Sequence, residues 1–568
     1  MSHLQSVGAR TFAESERRSA AIPILTTVAV VIAAIVVCST LYGVYRFYSP
    51  IPYWDQWDGY VGFYQMLREG QVLKALWSQH MEHRIVISHL LFWADIAWFG
   101  GMNVFTIICN LALSLGVALV LIYETRHAWS KGAPIVFAGA FAMSLAFCWS
   151  QKVNLTWGFQ SQCILVYLFA LLAFARLSRD DPKGINLTAA IIFGALATIS
   201  MGNGIAVFVV GAIQCFLLRR SWERILALLV AGAIIGAAYF HDYTKPILDI
   251  TGPAPRNILL TKIAYFFALM GSPIYYSLLN SSHGLNVAIL FGLAIFIFVA
   301  VVLFRLYRSG SITPYRGFLV ATYGFVVVSA IGASNSRWMQ GLETAITSRY
   351  TTPAVVGMIA TGLLLLDITH KKGRTFAMLG LVIVAGFLAL SSKSVNDDNS
   401  ILFSWKLGVL GQKIGVDHLE YEGLVYPLSL GTTFKSHATT ANEYQIGPYG
   451  SGWLHDAGIV KYDPVKTDPT LCAGNLEEVK HDKVGQTASG WVVAKNYAQA
   501  STLILLVDGT GKTAGYGVTG QSRPDVQKVV AGAPPDAGWI GFADGGAQNV
   551  RPYAYIGGKF CPFGTSSN

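Results

Sequence analysis

The sequence predicts a polytopic α-helical membrane protein that carries a β-rich soluble domain at its C-terminal end. Three observations predict it. Of the 568 residues, 53% are hydrophobic and 13% charged, with a mean hydropathy of +0.48, too little polar surface for a soluble chain of this size. Apolar runs follow one another from residue 20 to residue 390, with short basic loops on one side of the expected membrane. Beyond about residue 391, charges, Gly, Pro, Thr and Asp return, and short β-prone runs replace the long apolar ones. The net charge of +10 lies in twos and threes between apolar segments, so no basic patch on a soluble region points to nucleic acid.

The first run, 20–45, follows Arg17 and Arg18. It is longer than the roughly 7–15 apolar residues of a signal peptide and has no small-residue cleavage site. It is therefore expected to anchor the chain, with residues 1–19 as a cytoplasmic tail. Ten further runs, 104–123, 133–149, 163–174, 185–200, 205–218, 225–239, 285–304, 317–333, 355–366 and 376–390, complete a transmembrane region of 20–390. Two segments, 84–98 and 258–276, are ambiguous. Basic loops arbitrate, because short cytoplasmic loops carry the excess of Lys and Arg. With both segments on the outer surface, Arg126/Lys131, Arg176/Arg179/Lys183, Arg219/Arg220/Arg224, Arg305/Arg308/Arg316 and Lys371/Lys372/Arg374 all fall on the side of Arg17 and Arg18. Eleven spans follow, N-terminus in the cytoplasm and C-terminus outside; thirteen result if both ambiguous segments cross. "SMGNGIA" (200–206) interrupts two brief runs and reads as a tight outer turn.

Residues 391–568 then form a periplasmic domain. "GWVVAKN", "STLILLVDGTG" and "YAYIGGKF" are strand-like runs bounded by turn residues, which predicts a sandwich or jelly roll, with "VDGTG" as a hairpin turn. Trp491 and Trp539 suit either glycan stacking or the core of such a fold. Of seven cysteines, five lie in apolar segments as small buried hydrophobes. Cys472 and Cys561 stand apart in the polar region, where an extracytoplasmic location would join them in a disulfide.

Chemistry concentrates in the long outer loop, 48–103. It opens with "PYWDQWDGY", which places Asp55, Asp58, Trp54 and Trp57 against a membrane face. A carboxylate beside aromatic rings near a bilayer is partly desolvated and suited to general-base work, although Asp58 also fits the N-cap of a helix over 60–69. Segment 84–98 is amphipathic enough to lie flat on the membrane with Trp93 and Trp98 at the interface. "HMEHR" adds His80, Glu82, His83 and Arg84. On a helix the two histidines would share a face, but the spacing is not that of a zinc protease. Hydrogen bonding to a phosphate or sugar, with Arg84 as an anion contact, is the other role open to them.

Two later outer loops supply complementary groups. "KVNLTWGFQSQ" carries Trp157 and Gln160, suited to sugar stacking or to an interfacial belt. "SNSRWMQGLETAITSRYTTP" carries Arg337, Arg349 and Tyr350, and Arg349 suits either a phosphate or a snorkelling position.

A first span, the acidic "WDQWD", two juxtamembrane helices, many further spans and a late "SRYTTP" loop together resemble the GT-C class of membrane glycosyltransferases, and "EHR" with a β-rich tail is similar to the bacterial O-antigen-modifying members of three-component systems. The resemblance covers the membrane region in architecture, but only Asp55, Asp58, Arg349 and Tyr350 in motif. It implies an inverting transfer of a sugar from a polyprenyl-phosphate donor to a glycan hydroxyl at the periplasmic face of the inner membrane. Asp55 or Asp58 would be the base and Arg349 the phosphate contact. No cofactor is implied beyond an optional divalent cation, Mg or Mn. Two other functions remain open: a transporter or flippase of lipid-linked sugars, which would need midplane charges and a repeat, and a non-enzymatic polysaccharide assembly or binding protein.

Overall fold

The computed structural model describes residues 2–129, 132–180, 183–245, 257–278, 282–481, 485–495 and 501–564. Lys131, one of the loop cations used for topology, lies outside them. Among the described residues, nine helices are long and apolar enough to cross a membrane, which makes the chain a multi-pass membrane protein: Ala21–Arg46, Val104–Ala128, Ala133–Thr156, Gly158–Leu177, Trp222–Phe240, Gly284–Arg308, Pro314–Gln340, Ser348–Ile368 and Gly373–Asn396. They correspond to nine of the eleven expected spans. The other two, Ile185–Ser200 and Ala206–Leu217, are helices of 16 and 12 residues. The ambiguous segments are shorter than a span as well, Val86–Phe99 with 14 residues and Ile258–Met270 with 13. At about 1.5 Å per residue, helices of this length fall well below a hydrocarbon core of roughly 30 Å.

The chain divides into two compact units. One comprises Met1–Tyr48, Leu76–Leu90 and Thr106–Asp397, the other Ser49–Ala75, Leu91–Phe105 and Asp398–Asn568. In the first, a single apolar core runs through the long helices, with Val36, Leu121, Phe141, Phe174, Phe318 and Ile359 fully enclosed. Close crossings depend on small residues. A Cβ on Gly271 would lie 1.9 Å from the Ala288 carbonyl oxygen, and one on Gly292 2.1 Å from that of Phe267, so helices Ile258–Met270 and Gly284–Arg308 meet backbone to backbone. "SMGNGIA" is a turn, as read from its glycines. Gly194 before it lies against Phe208 beyond it, a pair that about 21 Å of straight helix would separate.

Among the described residues of the second unit, seven strands form one antiparallel sheet. After the short pair β1 (Gln79–His80) and β2 (His83–Arg84) of the first unit, they are β3 (Cys472–His481), β4 (Gln486–Ala494), β5 (Leu503–Val507), β6 (Thr513–Gln521), β7 (Gly538–Ala543), β8 (Arg551–Ile556) and β9 (Lys559–Pro562), in the order β3-β4-β7-β6-β5-β8-β9. The expected sandwich or jelly roll is thus replaced by a single curled sheet. Bulges at Leu476/Glu478, Leu506/Val507 and Thr519/Gln521 bend the strands. The edge strands β3 and β9 come close enough for Cys472 and Cys561 to be disulfide-bonded, their Cα atoms 6.0 Å apart.

Curling explains why no second sheet is needed. Alternate residues of the fully buried β5 face opposite ways. Ile504 and Leu506 join Trp539, Ala554 and Ile556 on one side. Leu503, Leu505 and Val507 pack on the other beneath Phe403, Leu407 and Leu410 of helix Ile401–Ile414. Trp539 is fully enclosed, a core residue rather than a stacking surface, and Trp491 packs beside Val526 and Ala537.

Candidate functional site

The acidic motif belongs to the second unit. Trp57–Gly62 forms one π-helical turn that runs on into helix Phe63–Arg68. Because the turn begins at Trp57, Asp58 lies inside it and is not the N-cap that the spacing suggested; its carboxylate turns outward instead. The Tyr426 hydroxyl donates to both of its oxygens, at 2.8 and 3.0 Å, and His437 Nε2 lies 3.2 Å from Oδ1. The Asp58 side chain is 44% exposed. Burial first, then the charges of Asp58 and Asp55, push the Tyr426 phenol far above its ordinary pKa, so it remains a donor. Both carboxylates therefore act on one phenol.

The aromatic residues around this turn hold it in place. Trp57 is fully buried with its ring edge-on to Phe434 and Tyr449, so it anchors the turn in the core of the unit. Trp54 is 40% exposed and takes a left-handed backbone, φ 45°, with its N–H on the Val425 carbonyl at 2.9 Å. A tryptophan in that region is strained, and strain of this kind gathers at functional turns. Beneath the motif, the Tyr60 hydroxyl donates to the buried Asp95 at 2.6 Å, and Gln56 Nε2 donates to Asn103 at 2.7 Å.

"HMEHR" belongs to the first unit and is not helical. It forms the β1–β2 hairpin, with Met81 at φ 49° in the turn and His80 directly opposite His83, so a cross-strand register rather than a helical face brings the two histidines together. Arg84 is 4% exposed and donates to the carbonyls of Tyr239, Trp77 and His241, with its guanidinium 5.1 Å above the Trp77 ring. It therefore caps the C-terminal end of helix Trp222–Phe240, where carbonyls lack partners, rather than presenting a free anion site. Glu82 pairs with Arg337 at 2.5 Å, both side chains 16% exposed. His83 Nδ1 accepts from the Gly202 N–H at 3.3 Å. Burial of the ring, then the Arg337 charge, then His80, hold the His83 pKa well below its ordinary value, to about 3, so the ring is neutral.

The two later loops are stitched together within the same unit. Asn154 Nδ2 donates to the Arg349 carbonyl at 3.0 Å and to Thr352 Oγ1 at 2.7 Å. The Ser348 hydroxyl donates to the Ser150 carbonyl at 2.8 Å. Trp157 rests on Phe159 with ring centres 5.6 Å apart, and His80 meets Phe159 edge-on. The Arg349 guanidinium lies 5.2 Å above the Tyr350 ring. Gln160 is buried and accepts from the Cys163 thiol, a packing role. Arg349 and Tyr350 thus lie at a seam that Asn154 and Ser348 close, Trp157 packs on Phe159 beside it in sequence, and Glu82 with Arg337 forms a separate ion pair.

Tyr426, His437, Asp95 and Asn154 are the members that sequence reasoning missed. Tyr426 and His437 lie 368 and 379 residues from Asp58, in a region read for strands. The available signal was the helical spacing of "GTTFKSHATTANE", which forms Gly431–Glu443. Among the described residues, no three His, Cys, Asp or Glu side chains gather as metal ligands. Asp58 accepts from a phenol and faces an imidazole, groups that would compete with a cation. No family model matches the chain, and no curated protein matches it.

Proposed function

We propose that the chain is an inverting glycosyltransferase of GT-C type, moving a sugar from a polyprenyl-phosphate donor to a glycan hydroxyl such as that of O-antigen. The proposed setting is the periplasmic face of a bacterial inner membrane, with the N-terminus cytoplasmic and 391–568 outside. One observation carries it: a half-exposed Asp58 carboxylate held in place by Tyr426 and His437. These partners orient a carboxylate that solvent still reaches, the arrangement a base needs to meet an acceptor hydroxyl in one geometry. Asp55, whose charge reaches the same phenol, is the second candidate base.

In the proposed reaction, the carboxylate takes the acceptor proton and the hydroxyl oxygen forms a bond to the anomeric carbon from the face opposite the phosphate. The bond from that carbon to the phosphate oxygen breaks, and its electron pair leaves with the polyprenyl phosphate. The carboxylate later returns its proton to solvent. By the resemblance, Arg349 is assigned to the phosphate, where a planar guanidinium matches the charge. A phosphate leaving group does not require a general acid, unlike the paired carboxylates of glycoside hydrolysis.

The test is transfer by the purified full-length protein, with a panel of polyprenyl-phosphate sugars and hydroxyl acceptors. Asp58→Asn or Asp55→Asn should lower turnover by about a hundredfold or more while the melting curve persists. Unchanged turnover in both variants overturns the catalytic assignment.

A further inference from the structure

One end of the first unit carries a cavity that the proposed chemistry does not use. It is a half-open groove between helices Val104–Ala128 and Ser161–Leu177, of about 460 Å³, bounded by Leu119, Val120 and Leu172 toward the middle of the helices. At the mouth stand Arg126, Arg176 and Arg179. Arg179 is engaged, 2.7 Å from Glu124 and above the Tyr123 ring. One carboxylate against three guanidiniums leaves the mouth positive among the described residues.

The outer face of Val104–Ala128 leads into this cavity. Ile108, Leu115, Leu119 and Tyr123 are all exposed large hydrophobic residues, four or seven positions apart, a stripe on one side of the helix that ends at Arg126. An apolar stripe on a span faces acyl chains, and guanidiniums at its end meet headgroup phosphates. The volume falls within the roughly 300–1,000 Å³ of small-molecule sites.

We propose that this cavity is a binding site for an anionic glycerophospholipid, with the phosphate on Arg126 and Arg176 and the start of an acyl chain along Leu119 and Leu172. The occupant is a lipid rather than free phosphate because the wall opposite the arginines is apolar and continuous with the exposed stripe. The site is independent of the transfer reaction.

The experiment uses the full chain in nanodiscs of phosphatidylcholine with a minor fraction of phosphatidylglycerol, and counts retained lipids by native mass spectrometry after release into detergent. Wild type should retain phosphatidylglycerol at one per chain. Arg126→Gln with Arg176→Gln should reduce retention about tenfold, given the strength of basic residues at a lipid surface. Arg308→Gln, which removes a cation stacked on Phe304 of another helix, should leave retention unchanged. Leu119→Trp, which fills the groove without touching charge, should also reduce it. Soluble glycerol 3-phosphate in excess should not displace the lipid. Equal retention in wild type and the double arginine variant, equal loss with Arg308→Gln, or displacement by glycerol 3-phosphate overturns the proposal.

Discussion

The Tyr426 hydroxyl donates to the Asp58 carboxylate at 2.8 Å across 368 positions of sequence. This bond joins the acidic turn to the helical portion of the C-terminal region within one compact unit. Tyr426→Phe keeps the ring stacked on Phe434 and removes only the donor. Loss of such a bond to a charged group costs about 1.5–3 kcal/mol, read as a lower melting temperature of the purified protein. If Asp58 is the base, the same variant lowers kcat more than it raises KM, since the carboxylate loses its orientation rather than its affinity for substrate.

Acid should weaken the first unit through His83. Its folded pKa, about 3, lies below the ordinary value near 6.5, so an unfolded chain binds a proton that the folded one refuses. The stability contributed by the neutral ring is complete above pH 6.5 and is lost as pH falls toward 3. His83→Asn keeps an acceptor near the Gly202 N–H and cannot titrate, so its melting temperature should fall less between pH 7 and pH 4. Arg337→Gln removes a charge that holds the ring neutral, which flattens the same limb. It also lowers the plateau at pH 7, because Glu82 loses its partner.

Arg84 should not tolerate lysine. Three carbonyls from Trp77, Tyr239 and His241 converge on one planar guanidinium. An ammonium cannot reach all three or stack on the Trp77 ring, so Arg84→Lys should cost about 2–3 kcal/mol at pH 7. A melting temperature equal to wild type would show that the capping bonds contribute nothing.

Reduction should loosen the C-terminal sheet. The Cys472–Cys561 bond closes a chain separation of 89 residues between the two edge strands. Replacing both cysteines by serine should cost about 2–4 kcal/mol. Dithiothreitol should lower the melting temperature of wild type to that of the double variant and leave the variant itself unaffected.

Much of this architecture was legible in the sequence. Long apolar runs marked the nine long helices, because crossing a hydrocarbon layer demands about 20 consecutive apolar residues whatever the neighbours do. "STLILLVDGTG" marked β5 and its turn by β-prone composition, although the strand proved buried on both faces. The helix Ile401–Ile414 was overlooked because its segment lies in polar surroundings that were read for strands, and its apolar face covers the sheet where a second sheet was expected.

The candidate site was legible in part. "WDQWD" drew attention through its carboxylates, and the two later loops were singled out before Asn154 was seen to stitch them together. "HMEHR" misled, because a two-residue turn at Met81 and Glu82 makes a hairpin out of residues that helical spacing also fits.

By itself, the sequence determined that this chain enters a membrane many times and ends in a β-rich region, because hydrophobic periodicity acts over neighbouring residues. Only the tertiary structure decided that Asp58 meets Tyr426 and His437, that Arg84 closes a helix end, and that one sheet curls until its edges can be joined. The side-chain pairings span from about 155 to nearly 380 residues and depend on which surfaces pack together, a property that no local pattern encodes.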